Sequence, residues 1–155
     1  MSSAPQPTLA SRPLRLGPAW VALCLALGLH TADEALTGFL AIYNPTVLAM
    51  RSRWSWFPMP TFEFREWLVG LISAVVILLL LSPLFYSNVR WIRPLGYLAA
   101  IINILNALGH TAGTIMGRTV ESVRFPRPAP GFYSSPLLLA ASIWLLVELR
   151  RSRRT

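Results

Sequence analysis

From Trp67 to Tyr86 the chain carries no charged residue and no long polar side chain, and its centre reads ISAVVILLLLS. An α-helix needs about 20 consecutive apolar residues to cross the hydrocarbon of a bilayer. Lipid admits only helices and closed barrels, because an unpaired backbone group finds no water there. The rest of the chain can repeat this solution: 54% of its residues are hydrophobic and 13% charged, where a soluble domain has about 25% charged. The mean hydropathy of +0.53 agrees. The expected fold is therefore all-α, an integral membrane four-helix bundle with spans at about 17–43, 67–86, 95–116 and 136–149 inside one domain of residues 14–149.

Punctuation along the chain sets these limits. Residues 1–13, MSSAPQPTLASRP, are small, polar and proline-bearing, and predict a disordered tail. Asn44-Pro45 predicts the end of the first span, since proline disfavours helix in the residue before it. A secretory signal is the rival reading of the start, with Arg12 and Arg15 ahead of the apolar run Leu16 to Leu29. The return of apolar character after Glu34, as ALTGFLAIY, argues against it. Residues 46–67 interleave Arg51, Arg53 and Arg65 with Trp54, Trp56, Phe57, Phe62, Phe64 and Trp67. That pattern predicts an interfacial segment between helices 1 and 2, with rings among the headgroups, and an aromatic binding box is the sharper alternative. Residues 117–135 read as a proline- and arginine-rich loop, and 150–155 as a basic cytoplasmic tail.

The net charge of +8 does not point to nucleic acid. All 14 basic residues are arginines placed at the chain ends and between apolar stretches, leaving no continuous basic face. Four spans would put Arg12, Arg15, Arg90, Arg93, Arg150, Arg151, Arg153 and Arg154 on one side, and Arg51, Arg53, Arg65, Arg118, Arg124 and Arg127 on the other. The first set lies in short segments close to helix ends, where positive charge marks the cytoplasm. The expectation is a multi-pass protein of the inner (plasma) membrane with both termini cytoplasmic. The lipid bilayer is then its first partner, and a homo-oligomer is compatible with the chain. The single cysteine, Cys24, excludes an internal disulfide.

Within the first span stands Leu29-His30-Thr31-Ala32-Asp33-Glu34. Positions i, i+3 and i+4 share a helix face, so His30, Asp33 and Glu34 are expected to project together. Each acidic group at the centre of a membrane helix costs about 2.5–3.5 kcal/mol, so such residues face partners and mark functional sites. The third span offers Asn103, Asn106 and His110 at i, i+3 and i+7. By 1.5 Å per residue His30 and His110 both fall about 20 Å from the cytoplasmic ends of their helices, which places the two groups at matching depth. The shared His-Thr-Ala at 30–32 and 110–112 also raises a duplicated helix pair, with the site between its halves.

Several chemistries fit this cluster. His30, Asp33, Glu34 and His110 are suitable ligands for a divalent metal, zinc or iron. The same groups could move protons without metal, with Glu34 as acid/base and His30 and His110 as its partners. A hydrogen-bond network between helices, with Asn103 and Asn106 supporting, is the structural alternative. A capping box at Thr31-x-x-Glu34, with the helix restarting at Ala32, is another.

His30-x-x-Asp33-Glu34, Asn106-x-x-x-His110 and Pro130-Gly131 ahead of a final apolar helix resemble the HXXEE-domain family of small bacterial membrane proteins, over about 19–146. Asp33 stands where the family name implies glutamate, and Arg127-Pro128-Ala129 stands where a tyrosine would be expected before Pro130-Gly131. The resemblance implies a membrane protein or enzyme and supplies no substrate. Taken with the cluster, the expected function is a membrane-embedded enzyme doing hydrolytic or proton-transfer chemistry on a lipophilic small-molecule substrate. A small transporter or proton relay and a structural or accessory membrane protein are the alternatives.

Overall fold

The computed structural model describes residues 15–153, so the expected tail at 1–13 and the last two residues lie outside the described residues. The chain is mostly helical. Helix α1 (Leu16–Thr37) ends where Gly38 takes the left-handed conformation, φ 79°, and its N–H bonds to the Glu34 carbonyl. Glycine carries no Cβ penalty there, which makes it the usual stop. The first helix therefore does not run to Tyr43, and Asn44-Pro45 is no stop. A second helix, α2 (Leu40–Arg53), passes straight through Pro45. Proline deprives the Ala41 carbonyl of its intrahelical donor, but α2 is pinned from outside. The Asn44 side chain donates to the Phe62 carbonyl and accepts from the Phe62 N–H, and the Tyr43 hydroxyl donates to the Pro60 carbonyl. The segment expected to lie at the interface is thus half helix and half a strap, 54–63, tied back onto that helix.

Helix α3 (Phe64–Leu80) and the short α4 (Ser82–Tyr86) follow almost in line. After a 3-10 turn, α5 (Arg93–Met116) runs to Gly117, which again has positive φ, 66°. Strands β1 (Arg118–Val120) and β2 (Val123–Arg124) form an antiparallel hairpin within the expected loop. Helix α6 (Ser135–Ser152) closes the chain, with Pro136 in its first turn.

Three helical stretches are long and apolar enough to cross a membrane: Leu16–Thr37, Phe64–Tyr86 and Arg90–Met116. Helix α6 is not among them, because Glu148, Arg150 and Arg151 crowd its last turns. It nevertheless occupies the centre, packed against both α1 and α5, while α3 and α4 lie on the other flank of α1. Trp20 and Phe85 stack at 3.8 Å between ring centroids, and the indole N–H donates to the Leu78 carbonyl. Gly96 leaves just enough space for Phe85 and Leu149. Val69, Ile72, Val76, Ile77 and Leu80 of α3 remain exposed, an apolar wall suited to lipid.

The two ends of the helices differ. At one, the Glu148 carboxylate accepts from the Arg15 backbone N–H at 3.0 Å and pairs with Arg151 at 2.8 Å. A negative charge there complements the dipole of α1. At the other, the end of α1, the end of α5 and the start of α6 converge under α2, the hairpin and the 126–134 loop.

Candidate functional site

Helix α1 delivers His30 and Glu34 one turn apart, and α5 delivers His110. Glu34 Oε1 lies 3.0 Å from His110 Nε2 and 3.5 Å from His30 Nε2. The imidazoles meet edge to face at 4.8 Å. All three side chains are buried, at 0% exposure for His30, 5% for Glu34 and 8% for His110. A buried carboxylate is costly unless paired, and His110, at 3.0 Å, supplies that pairing. Helix α1 runs unbroken through this turn, so the capping-box reading fails: Thr31 Oγ1 has no partner and Glu34 faces imidazoles. With α1 running from Leu16 to Thr37, His30 is about 20 Å from the first end of the helix, as expected, and about 10 Å from the second, at 1.5 Å per residue.

Asp33 does not join this group. Its Oδ2 accepts from both the backbone N–H and the hydroxyl of Ser134, each at 2.8 Å, at the N-terminus of α6. The Ser134 hydroxyl also lies 2.8 Å from His30 Nδ1 and 3.3 Å from the Gly131 carbonyl. A hydroxyl has one proton, and the charged carboxylate is its strongest acceptor. Ser134 must therefore accept from His30 Nδ1–H, which leaves the Nε2 lone pair facing Glu34 and His110. Asn106 donates to that lone pair at 3.0 Å, so it positions His30. Asn103 does not support the site at all: its amide donates to the Ala99 carbonyl one turn back.

Gly131 covers the cluster. It has φ 76°, and a Cβ at this position would come within 2.9 Å of His110 Cε1 and 3.0 Å of Glu34 Cγ. The loop is fixed by the Thr37 hydroxyl accepting from Gly131 N–H at 3.2 Å, by Ser135 donating to the Gly131 carbonyl at 2.7 Å, and by Thr114 accepting from Ala129 N–H at 3.0 Å. Beside it opens a largely apolar cavity of about 270 Å³, walled by Phe39, Ile42, Leu105, Gly109, Phe125 and Pro130, with Asn106, His110 and Thr119 as its polar groups. Ser134, Gly131 and Phe125 were not picked out from residue chemistry alone. The Ser134-Ser135-Pro136 start of a helix was the available signal for the first, and Pro130-Gly131 entered only through the resemblance.

The three donor atoms, all within 4.8 Å of one another, could hold a metal ion. A tetrahedral zinc ion with bonds of about 2.0–2.1 Å keeps neighbouring donors about 3.3 Å apart. The distances of 3.0 and 3.5 Å from Glu34 Oε1 bracket that value. Two histidines and one carboxylate leave a fourth position open, as hydrolytic zinc sites do. Metal-binding histidines commonly donate their second N–H to an oriented acceptor, and His30 does so to Ser134, held by Asp33. Comparison with protein-family models, curated proteins and solved structures returns no match for this chain.

Proposed function

We propose that this chain is a membrane-embedded enzyme whose His30, Glu34 and His110 bind a divalent metal, zinc or iron, and hydrolyse a lipophilic substrate. The observation that carries this reading is the convergence of three buried donors, within 4.8 Å of one another and with Glu34 Oε1 at 3.0 and 3.5 Å from the two imidazoles, beside a mostly apolar cavity. A bound metal would supply polarisation of the scissile group and of a water. The protein's own part is to hold His30 with its Nε2 lone pair inward through Asp33 and Ser134, where a bound ion would take the place of the Asn106 amide, and to keep bulk water off with Gly131 and Phe125. It also seats the apolar part of the substrate between Phe39, Ile42 and Leu105. Membership of the HXXEE-domain family is part of the proposal, supported by the part its quoted residues take in the site.

The proposal includes α6 as a fourth crossing. Its central residues are apolar, and its buried acid, Glu148, is spent on Arg151 and the start of α1 rather than on lipid. With both termini cytoplasmic in a bacterial inner membrane, the site opens on the opposite face. Metal analysis of purified protein, beside His30→Ala and Glu34→Ala, tests the centre. Stoichiometric zinc or iron in the wild type and its loss in both variants is expected, together with loss of hydrolysis of a lipid-ester probe. A metal-free wild type with both variants equally stable and active defeats it.

One observation favours a second reading, a proton relay. Asp33, Ser134, His30, Glu34 and His110 form a line of polar contacts, none longer than 3.5 Å. Proton flux in proteoliposomes that requires Ser134 and His110 but no metal would select it.

A further inference from the structure

The hairpin places Arg118 directly opposite Arg124, and Arg127 follows in the next loop. The three arginines line one recess of about 500 Å³ together with Met116, Gly117 and Phe125. Like charges directly opposite one another destabilise a strand pair, so a counter-charge would stabilise the arrangement. Among the described residues none of the three arginines is paired with a carboxylate, although Glu121 stands at the tip of the same hairpin. Strand alternation then matters. Thr119 and Phe125, next in sequence to Arg118 and Arg124, line the apolar cavity over His110, and Phe125 is the wall common to both spaces. A cationic recess and an apolar cavity therefore sit side by side, joined at one phenyl ring.

We infer that Arg118, Arg124 and Arg127 form a phosphate-binding recess that holds the headgroup of an anionic amphiphile whose apolar part enters the neighbouring cavity. Guanidinium groups match phosphate oxygens in paired hydrogen bonds. The hairpin lies at the mouth of the bundle, where lipid phosphates stand in a bilayer. As a statement about substrate the inference rests on the hydrolytic reading above. As a statement about binding it stands on the recess alone.

The test measures binding, so it does not depend on turnover. Purified full-length protein is titrated with inorganic phosphate, and separately reconstituted in phosphatidylglycerol or phosphatidylcholine nanodiscs, with thermal protection and bound-lipid analysis as readouts. An R118Q/R124Q/R127Q variant is compared with an R150Q control at the other end of the helices. Each arginine near a lipid surface contributes about fivefold in affinity, so the triple variant should bind phosphatidylglycerol about a hundredfold more weakly, and the single R150Q control no more than about fivefold. Phosphatidylcholine should protect neither form selectively. Equal affinity for phosphate and for the whole lipid overturns the amphiphile, and equal lipid binding by variant and wild type overturns the recess itself. Single R127Q repeats the measurement should the triple variant fold poorly. Metal content, measured on the same samples, reports on the His/Glu/His centre separately.

Discussion

Replacing Gly131 by alanine tests the roofed site most directly, because the structure gives the cost in two parts. The backbone at φ 76° is one that an L-residue adopts at about 1–2 kcal/mol. The new methyl would then stand 2.9 Å from His110 Cε1 and 3.0 Å from both His110 Nδ1 and Glu34 Cγ. Forcing a carbon into a packed space costs about 1–3 kcal/mol. Neither neighbour is free to retreat, since Glu34 lies against two imidazoles and the loop is tied by Thr37, Thr114 and Ser135. The sum, about 2–5 kcal/mol, corresponds to a fall in Tm of about 6–15 °C for a chain of this size. Thermal unfolding in detergent measures it, with Gly70→Ala as the control: a Cβ at position 70 meets nothing within 4 Å and alanine is the better helix former. Metal affinity should fall in the first variant and hold in the second. A Gly131→Ala protein with wild-type Tm and metal affinity would mean that the 126–134 loop does not close over the histidines, and the site as described would be wrong.

Other consequences are separable. Ser134→Ala removes the group that orients His30 Nδ1, and should weaken metal binding by about 10–100-fold while the helices stay folded, as judged by circular dichroism. Metal affinity should fall on acidification, since protons compete for the imidazole lone pairs that a metal needs; pH-independent binding would argue for other ligands. Glu148→Gln unpairs Arg151 and weakens the cap on α1, and should lower stability by about 1–2 kcal/mol with metal content untouched.

Much of the fold was legible because long apolar runs leave few choices. The apolar run after Trp67 and the turn at Arg90 set two spans within a few residues of where the helices lie. The first span ends earlier than Asn44-Pro45 implies. Gly38 enters the left-handed conformation at little cost and stops α1, whereas the loss at Pro45 falls on one carbonyl of a helix anchored by Asn44 and Tyr43. The hairpin at 118–124 was hidden for a different reason. Its turn, Glu121-Ser122, lacks the Asn-Gly or Asp-Gly signal of a tight turn, and its strands are too short to display alternation.

The site was legible through cost. His30, Glu34 and His110 stood out because such groups are expensive in an apolar helix, and the structure brings them together. Asp33 carried the same signal and went elsewhere, for a reason rooted in helix geometry. Residues i+3 and i+4 are said to share a face with i, but at about 100° per residue they fall to opposite sides of it and diverge from each other by about 100°. Two acids in succession after a histidine therefore cannot both reach one point. One turns to α5 and meets His110; the other turns to α6 and meets Ser134. What the HxxDE spacing builds is a donor on one side and an orienting carboxylate on the other, with the histidine held between them. The shorter aspartate at the first acidic position is consistent with this division, since it needs only to reach a serine already placed at the start of the last helix.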